Sequence, residues 1–133
     1  EDLSICRDVP NVHLHGPIPY RDVQKCINSF DVAIMPHVRN DQTRRMNPLK
    51  IYNYAALRRP IVTTPVENID QGLYPFLYFA DSANSFSKAI QEALLGAKIN
   101  QKAYNDAVEE ISWDRRVEDV LNILKDLQEK KDK

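Results

Sequence analysis

Lysine and arginine crowd one short stretch of this chain. From Arg39 to Arg59 stand six of them (Arg39, Arg44, Arg45, Lys50, Arg58 and Arg59) against one acid, Asp41, while the 133-residue chain carries a net charge of −1. The stretch follows an apolar run that stops at Pro36, and it contains the pair Asn47-Pro48. That pair suits a helix start, because Asn accepts from free amides and Pro tolerates the first helical position. Cations at the carboxyl end of a strand and the amino end of the next helix are where anions bind in an open α/β sheet. Pro48 has no N–H, so the donors expected there are the amides of Leu49 and Lys50 and the Asn47 side chain. Asn47, Lys50 and Asn53 recur at threes, which places them on one helix face, with Leu49, Tyr52 and Ala56 expected to pack inward. A diphosphate at the helix start, with a hydroxylated ring along the Lys50–Asn53 face, fits this pattern. A solvated basic loop before an ordinary capped helix fits it too.

The elements that must hold these residues can be read from periodicity. Asn11 to Gly16 reads as a short strand, and Pro17 and Pro19 then turn the chain. Val23, Cys26, Ile27 and Phe30 follow helical spacing, which assigns Cys26 to core packing. Asp31 to Met35 is a continuous apolar run of the kind buried on both faces of a parallel sheet. A helix from Asn47 ends before Pro60, Pro60 to Thr63 and Phe76 to Ala80 are further strands, and a helical turn falls near Ile69 to Leu73. Asp81 or Ser82 caps a helix that Gly96 closes. Lys102 to Ile111 is helical, and Ser112 caps a last helix, about 113–130, with Trp113, Val117, Val120, Leu121, Leu124 and Leu127 on one stripe. Strands alternating with helices predict one α/β domain over residues 1–133, with a mainly parallel sheet covered by helices.

Composition narrows the functional classes. Near-neutral net charge argues against general affinity for nucleic acid or membrane. Cys6 and Cys26 have no CxxC spacing and read as free thiols in a reducing, cytoplasmic setting. No apolar run is long enough to span a bilayer. A non-Met first residue and an opening directly before a strand suggest a piece of a longer protein. His13 and His15 share a strand face, but no third metal ligand is apparent. His37 follows the strand end at Pro36 and can line the site. Glu67 and Asp70 lie on the loop after Thr64, near the same sheet edge. Tyr104 and Trp113 read as core or domain-interface packing rather than a stacking platform. A phospho-receiver domain of similar size would need an acidic Mg²⁺ site at a strand end, where this chain is basic.

Four segments in order across the chain resemble the donor-binding half of GT-B glycosyltransferases, most closely the family-4 group. Asn47-Pro48-Leu49-Lys50-Ile51-Tyr52-Asn53-Tyr54-Ala55-Ala56, running on to Arg59-Pro60-Ile61-Val62, is similar to their "NPLK-x-x-EYLA-x-GKPVVST". Asn11 to Tyr20 resembles "NVhflG-x-vpy", Phe30 to Pro36 resembles "fDv-x-i-x-P", and Ser112-Trp113-Asp114-Arg115-Arg116 resembles "sW-x-x-r". The resemblance implies a Rossmann-like three-layer domain, part of the C-terminal half of a GT-B fold. Its substrate would be a nucleotide-diphosphate sugar, with no cofactor, no catalytic metal and retention of anomeric configuration. It implies an acceptor domain elsewhere in the protein, through which peripheral membrane association can arise. Carried over, the amides near Asn47 and Leu49 would meet the diphosphate, and Asn53 would sit where a glutamate binds ribose hydroxyls. By their place in the chain, Thr43, Arg45 and Lys50 join these as expected donor-binding residues, with Pro36, His37 and Glu67 expected to line the pocket.

Three positions depart from that pattern. Arg45 and Asn53 occupy the places of two glutamates eight apart, and Arg58 replaces the usual Gly before Arg59-Pro60. Asn53 can still bond a hydroxyl, without the strength of a charged acceptor. Arg45 can pair with phosphate or with an acidic sugar. With three glycines and no Gly-rich phosphate loop, the chain alone is expected to lack transferase activity. A degenerate, non-catalytic scaffold is the alternative.

Overall fold

The computed structural model describes residues 4–69, 71–96 and 100–131, with backbone alone at 71 and 72. Three short strands form an all-parallel sheet in the order β1 (Ala33–Met35), β2 (Ile61–Thr63), β3 (Leu77–Phe79). The register pairs Ala33 with Ile61 and Met35 with Thr63, then Ile61 with Leu77 and Thr63 with Phe79. Helices α1 (Tyr20–Asn28), α2 (Asp41–Arg44), α3 (Lys50–Ala56), α4 (Ala83–Leu94), α5 (Gln101–Glu110) and α6 (Trp113–Lys131) surround it. A 3₁₀ segment, Gln71–Phe76, leads into β3.

Alternation along each strand divides the core in two. Ala33, Met35, Ile61 and Leu77 face one side and pack with Ile51 and Ala55 of α3, Leu73 and Phe76 of the 3₁₀ segment, and Tyr104 of α5. Val62 and Tyr78 face the other side and pack with Ala89 and Ala93 of α4. Helices on both faces of a parallel sheet make this a Rossmann-like three-layer α/β fold.

Local signals account for the helix ends. Ser82 caps α4 in a reciprocal box with Ser85. Gly96 takes the left-handed conformation that closes α4, with φ 67°. Ser112 Oγ accepts from the Arg115 amide at the start of α6. Arg58 also adopts positive φ, 54°. It ends α3 through two bonds, Arg58 N–H to Ala55 O at 2.8 Å and Arg59 N–H to Tyr54 O at 2.9 Å. That pair is a Schellman closure, a position that normally favours glycine.

Four expectations need correction. Asn11 to Gly16 forms no strand and is exposed throughout, His13 and His15 included. An isolated strand has no ladder to satisfy its backbone, and no described residue pairs with this segment. β1 is buried on one face only, with Ile34 55% exposed, because α4 covers that face of the sheet over β2 and β3. α3 begins at Lys50, not Asn47, and its inward residues are Ile51 and Ala55; Leu49 is 76% exposed. Its first turn closes by Ile51 N–H to Pro48 O and Tyr52 N–H to Leu49 O, so the tight turn displaces Asn47 from the capping position. Trp113, read as core or domain-interface packing, does not enter this core: it and the rest of the α6 stripe to Leu127 are each at least half exposed.

Candidate functional site

The carboxyl ends of all three strands open into one crevice. Its two lobes, about 210 and 400 Å³, share His37, Arg39 and Thr64. This is the edge at which parallel α/β sheets receive ligands. The loop after β1 supplies Pro36, His37 and Arg39, the end of β2 supplies Thr64, and Asp81 and Ser82 follow β3. Buried Thr63 Oγ1 donates to Met35 O at 3.1 Å, and the His37 N–H donates to Thr64 Oγ1 at 3.0 Å. These bonds tie the two strand ends together. The His37 Nε2 atom is buried without a hydrogen-bond partner among the described residues.

Thr43 lines the crevice, and its hydroxyl is committed to local structure. It accepts from the Asn40 N–H, donates to Val38 O, and completes a capping box in which Asn40 Oδ1 accepts from the Thr43 N–H at 2.8 Å. The box shapes the loop that carries the cations.

Those cations are less free than their local count implies. Arg44 Nε meets Glu67 Oε1 at 3.1 Å, and Arg39 reaches Asp81 at 4.0 Å. Acids distant in sequence therefore offset two of the six charges, each pair being exposed and contributing under about 1 kcal/mol. Glu67 thus holds Arg44, and its own N–H donates to Arg44 O at 2.8 Å. Asp70 lies outside the described residues. Arg59 donates to Phe30 O, and Arg58 to Asn105 Oδ1. Arg45 and Lys50 are exposed and ion-pair with no described residue.

The remaining expected residues fall elsewhere. Asn47, Leu49 and Asn53 line a second hollow of about 670 Å³, between α3 and the α5–α6 junction. Its walls include Tyr52, Trp113 and Arg116. Asn47 Nδ2 donates to Tyr52 Oη at 3.3 Å, and the Arg116 guanidinium lies 5.7 Å from the Tyr52 ring centre. The structure thus separates the expected residues into a crevice set (Pro36, His37, Thr43) and a groove set (Asn47, Leu49, Asn53). The turn bearing Arg45 joins them along the chain. The share of Trp113 and Arg116 in the groove escaped sequence reasoning. Their distance in sequence from α3 hid it, although the "sW-x-x-r" likeness had marked the segment.

Among the described residues, no group of three or more His, Cys, Asp or Glu is placed to hold a metal ion. No helix among them is long and apolar enough to cross a membrane.

A parallel sheet with its polar crevice at the strand carboxyl ends defines a Rossmann-like α/β domain. Residues 1–95 match the family model described as glycosyl transferases group 1, and the chain belongs to that family. It is 27% identical over 70 residues to a protein of Bacillus subtilis (strain 168) named as a teichuronic acid biosynthesis glycosyltransferase, TuaH. That match covers 53% of this chain and 18% of the relative, so the chain spans a minor part of its relative's length. No solved structure matches it.

Proposed function

We propose that this chain is the donor-binding part of a glycosyltransferase and receives a nucleotide-diphosphate sugar. One observation carries the reading: a turn with two exposed cations, Arg45 and Lys50, that ion-pair with no described residue runs from a polar crevice to a partly aromatic groove. The donor has the same order of parts, a polyhydroxyl sugar, a diphosphate and a nucleoside. The crevice with His37, Thr43 and Thr64 suits the sugar, the turn suits the diphosphate, and the Asn47–Asn53 side suits the nucleoside. Membership of group 1 glycosyltransferases supports the assignment.

The acceptor domain then belongs to another part of the protein, and this chain alone does not complete transfer. The relative is named for teichuronic acid biosynthesis, which supports polysaccharide biosynthesis as the setting. A cytoplasmic location, with peripheral membrane association through that other part, completes the proposal. The donor enters as a substrate, and its diphosphate charge is met by Arg45 and Lys50.

Calorimetric titration with uridine, guanosine and adenosine diphosphate sugars tests the reading. One of them should bind saturably, and Arg45→Ala with Lys50→Ala together should weaken it about ten-fold, as for lost charge-assisted contacts. Undiminished binding by the double variant would remove the turn from the site. Release of sugar by the isolated chain would overturn its proposed dependence on an acceptor domain.

A further inference from the structure

We infer that Trp113, at the first position of α6, is a stacking platform for the nucleobase of the donor. The inference rests on the donor-binding reading above. Trp113, expected from the sequence to serve packing rather than stacking, is 82% exposed and stands at the wall of the groove beside Tyr52 and Arg116, which reverses that expectation. An indole so exposed has nearly its whole apolar face available for a ligand to cover. The groove volume, about 670 Å³, lies in the range of small-molecule sites.

The chemistry of the walls selects the occupant. Trp113, Tyr52 and Arg116 present planar groups, and planar groups favour a flat aromatic body. Asn47 and Asn53 present amides, each with donors and an acceptor, suited to ribose hydroxyls and base edges. A lipid tail would leave those amides unsatisfied, which disfavours it. The groove also adjoins the cationic turn through Asn47 and Leu49. A ligand with an aromatic end and an anionic middle therefore fits where a purely apolar one does not.

The chain has one tryptophan, so its fluorescence reports on this position alone. The probes are uridine, cytidine, adenosine and guanosine diphosphates, with inorganic pyrophosphate as the baseless control. At least one nucleoside diphosphate should quench Trp113 saturably, and pyrophosphate should not. By calorimetry, Trp113→Ala should raise the Kd of that nucleotide about ten-fold, leave pyrophosphate binding within about two-fold, and lose less when Phe replaces Ala. Equal nucleotide affinity in wild type and Trp113→Ala overturns the platform and leaves the donor reading standing. A fall in Tm for Trp113→Ala without a change in Kd overturns it too, by assigning the indole to protein packing. Absence of nucleotide binding by calorimetry in the wild type overturns both.

Discussion

Arg58 offers a direct physical test of how α3 ends, and so of how Asn53 and Ala56 come to face the groove. It holds φ at 54°, inside the left-handed region. An L-residue pays about 1–2 kcal/mol there, through the clash of Cβ with the following carbonyl. Glycine escapes that clash but loses roughly 0.5–1 kcal/mol more backbone freedom on folding. The wild-type guanidinium also bonds Asn105 Oδ1 at 3.1 Å, which confuses a direct comparison. Arg58→Ala and Arg58→Gly both lose that bond, and they differ only in Cβ. Their difference should favour glycine by about 0.5–1 kcal/mol, the clash relieved less the added freedom. In a chain of this size that is a Tm higher by about 2–5 °C. Thermal unfolding by circular dichroism of both variants measures it. An alanine variant as stable as the glycine variant would show that residue 58 is not left-handed, and the two closing bonds to Ala55 and Tyr54 would fall with it.

Further outcomes follow from single side chains. Tyr104 is buried against Phe76, ring centres 4.3 Å apart, and its hydroxyl has no partner among the described residues. Tyr104→Phe should therefore be neutral or stabilising, by up to about 1–3 kcal/mol. Burial first, and neighbouring Tyr78 second, push the Tyr104 hydroxyl above its usual pKa of 10.0. The neutral form is thus favoured on folding, and that stability is complete below about pH 10 and lost as pH rises through the folded value. Denaturant titration across pH 9 to 11 should show the wild type losing stability faster than Tyr104→Phe; parallel curves would contradict this. Ser82→Ala removes the cap of α4 and should cost about 1 kcal/mol by urea denaturation, with no change signifying that the box with Ser85 is not formed. Asn53→Glu restores a charged acceptor on the groove side of α3 and should tighten a nucleotide-diphosphate sugar about five-fold in calorimetry. Unchanged affinity would place the ribose elsewhere.

Much of the fold is legible in local chemistry. The apolar runs before Pro36, after Pro60 and around Tyr78 became the three strands, because apolar residues without polar interruption are stable only where both faces or one face are covered. Ser82, Gly96 and Ser112 marked helix boundaries because caps act through neighbouring backbone groups. What failed depended on partners distant in sequence. The Asn11–Gly16 segment has strand composition but no ladder among the described residues. The α6 stripe has the spacing of a packed face, and periodicity cannot say what a face packs against. At the site, the cations near the helix start were legible, whereas Glu67 and Asp81, which offset Arg44 and Arg39, were not. Nor could spacing separate the crevice residues from those of the groove, since a single 3₁₀-like turn at Pro48 decides which way Asn47 points.

Titration of the isotope-labelled chain with nucleotide-diphosphate sugars, followed residue by residue by NMR, tests the donor-binding claim most directly. The amides from Arg44 to Asn53 should shift saturably, together with His37 and Thr64 at the crevice. No shift at millimolar donor, or shifts confined to surfaces away from that turn, would contradict the claim and leave a group 1 glycosyltransferase fold that has kept its shape without its ligand.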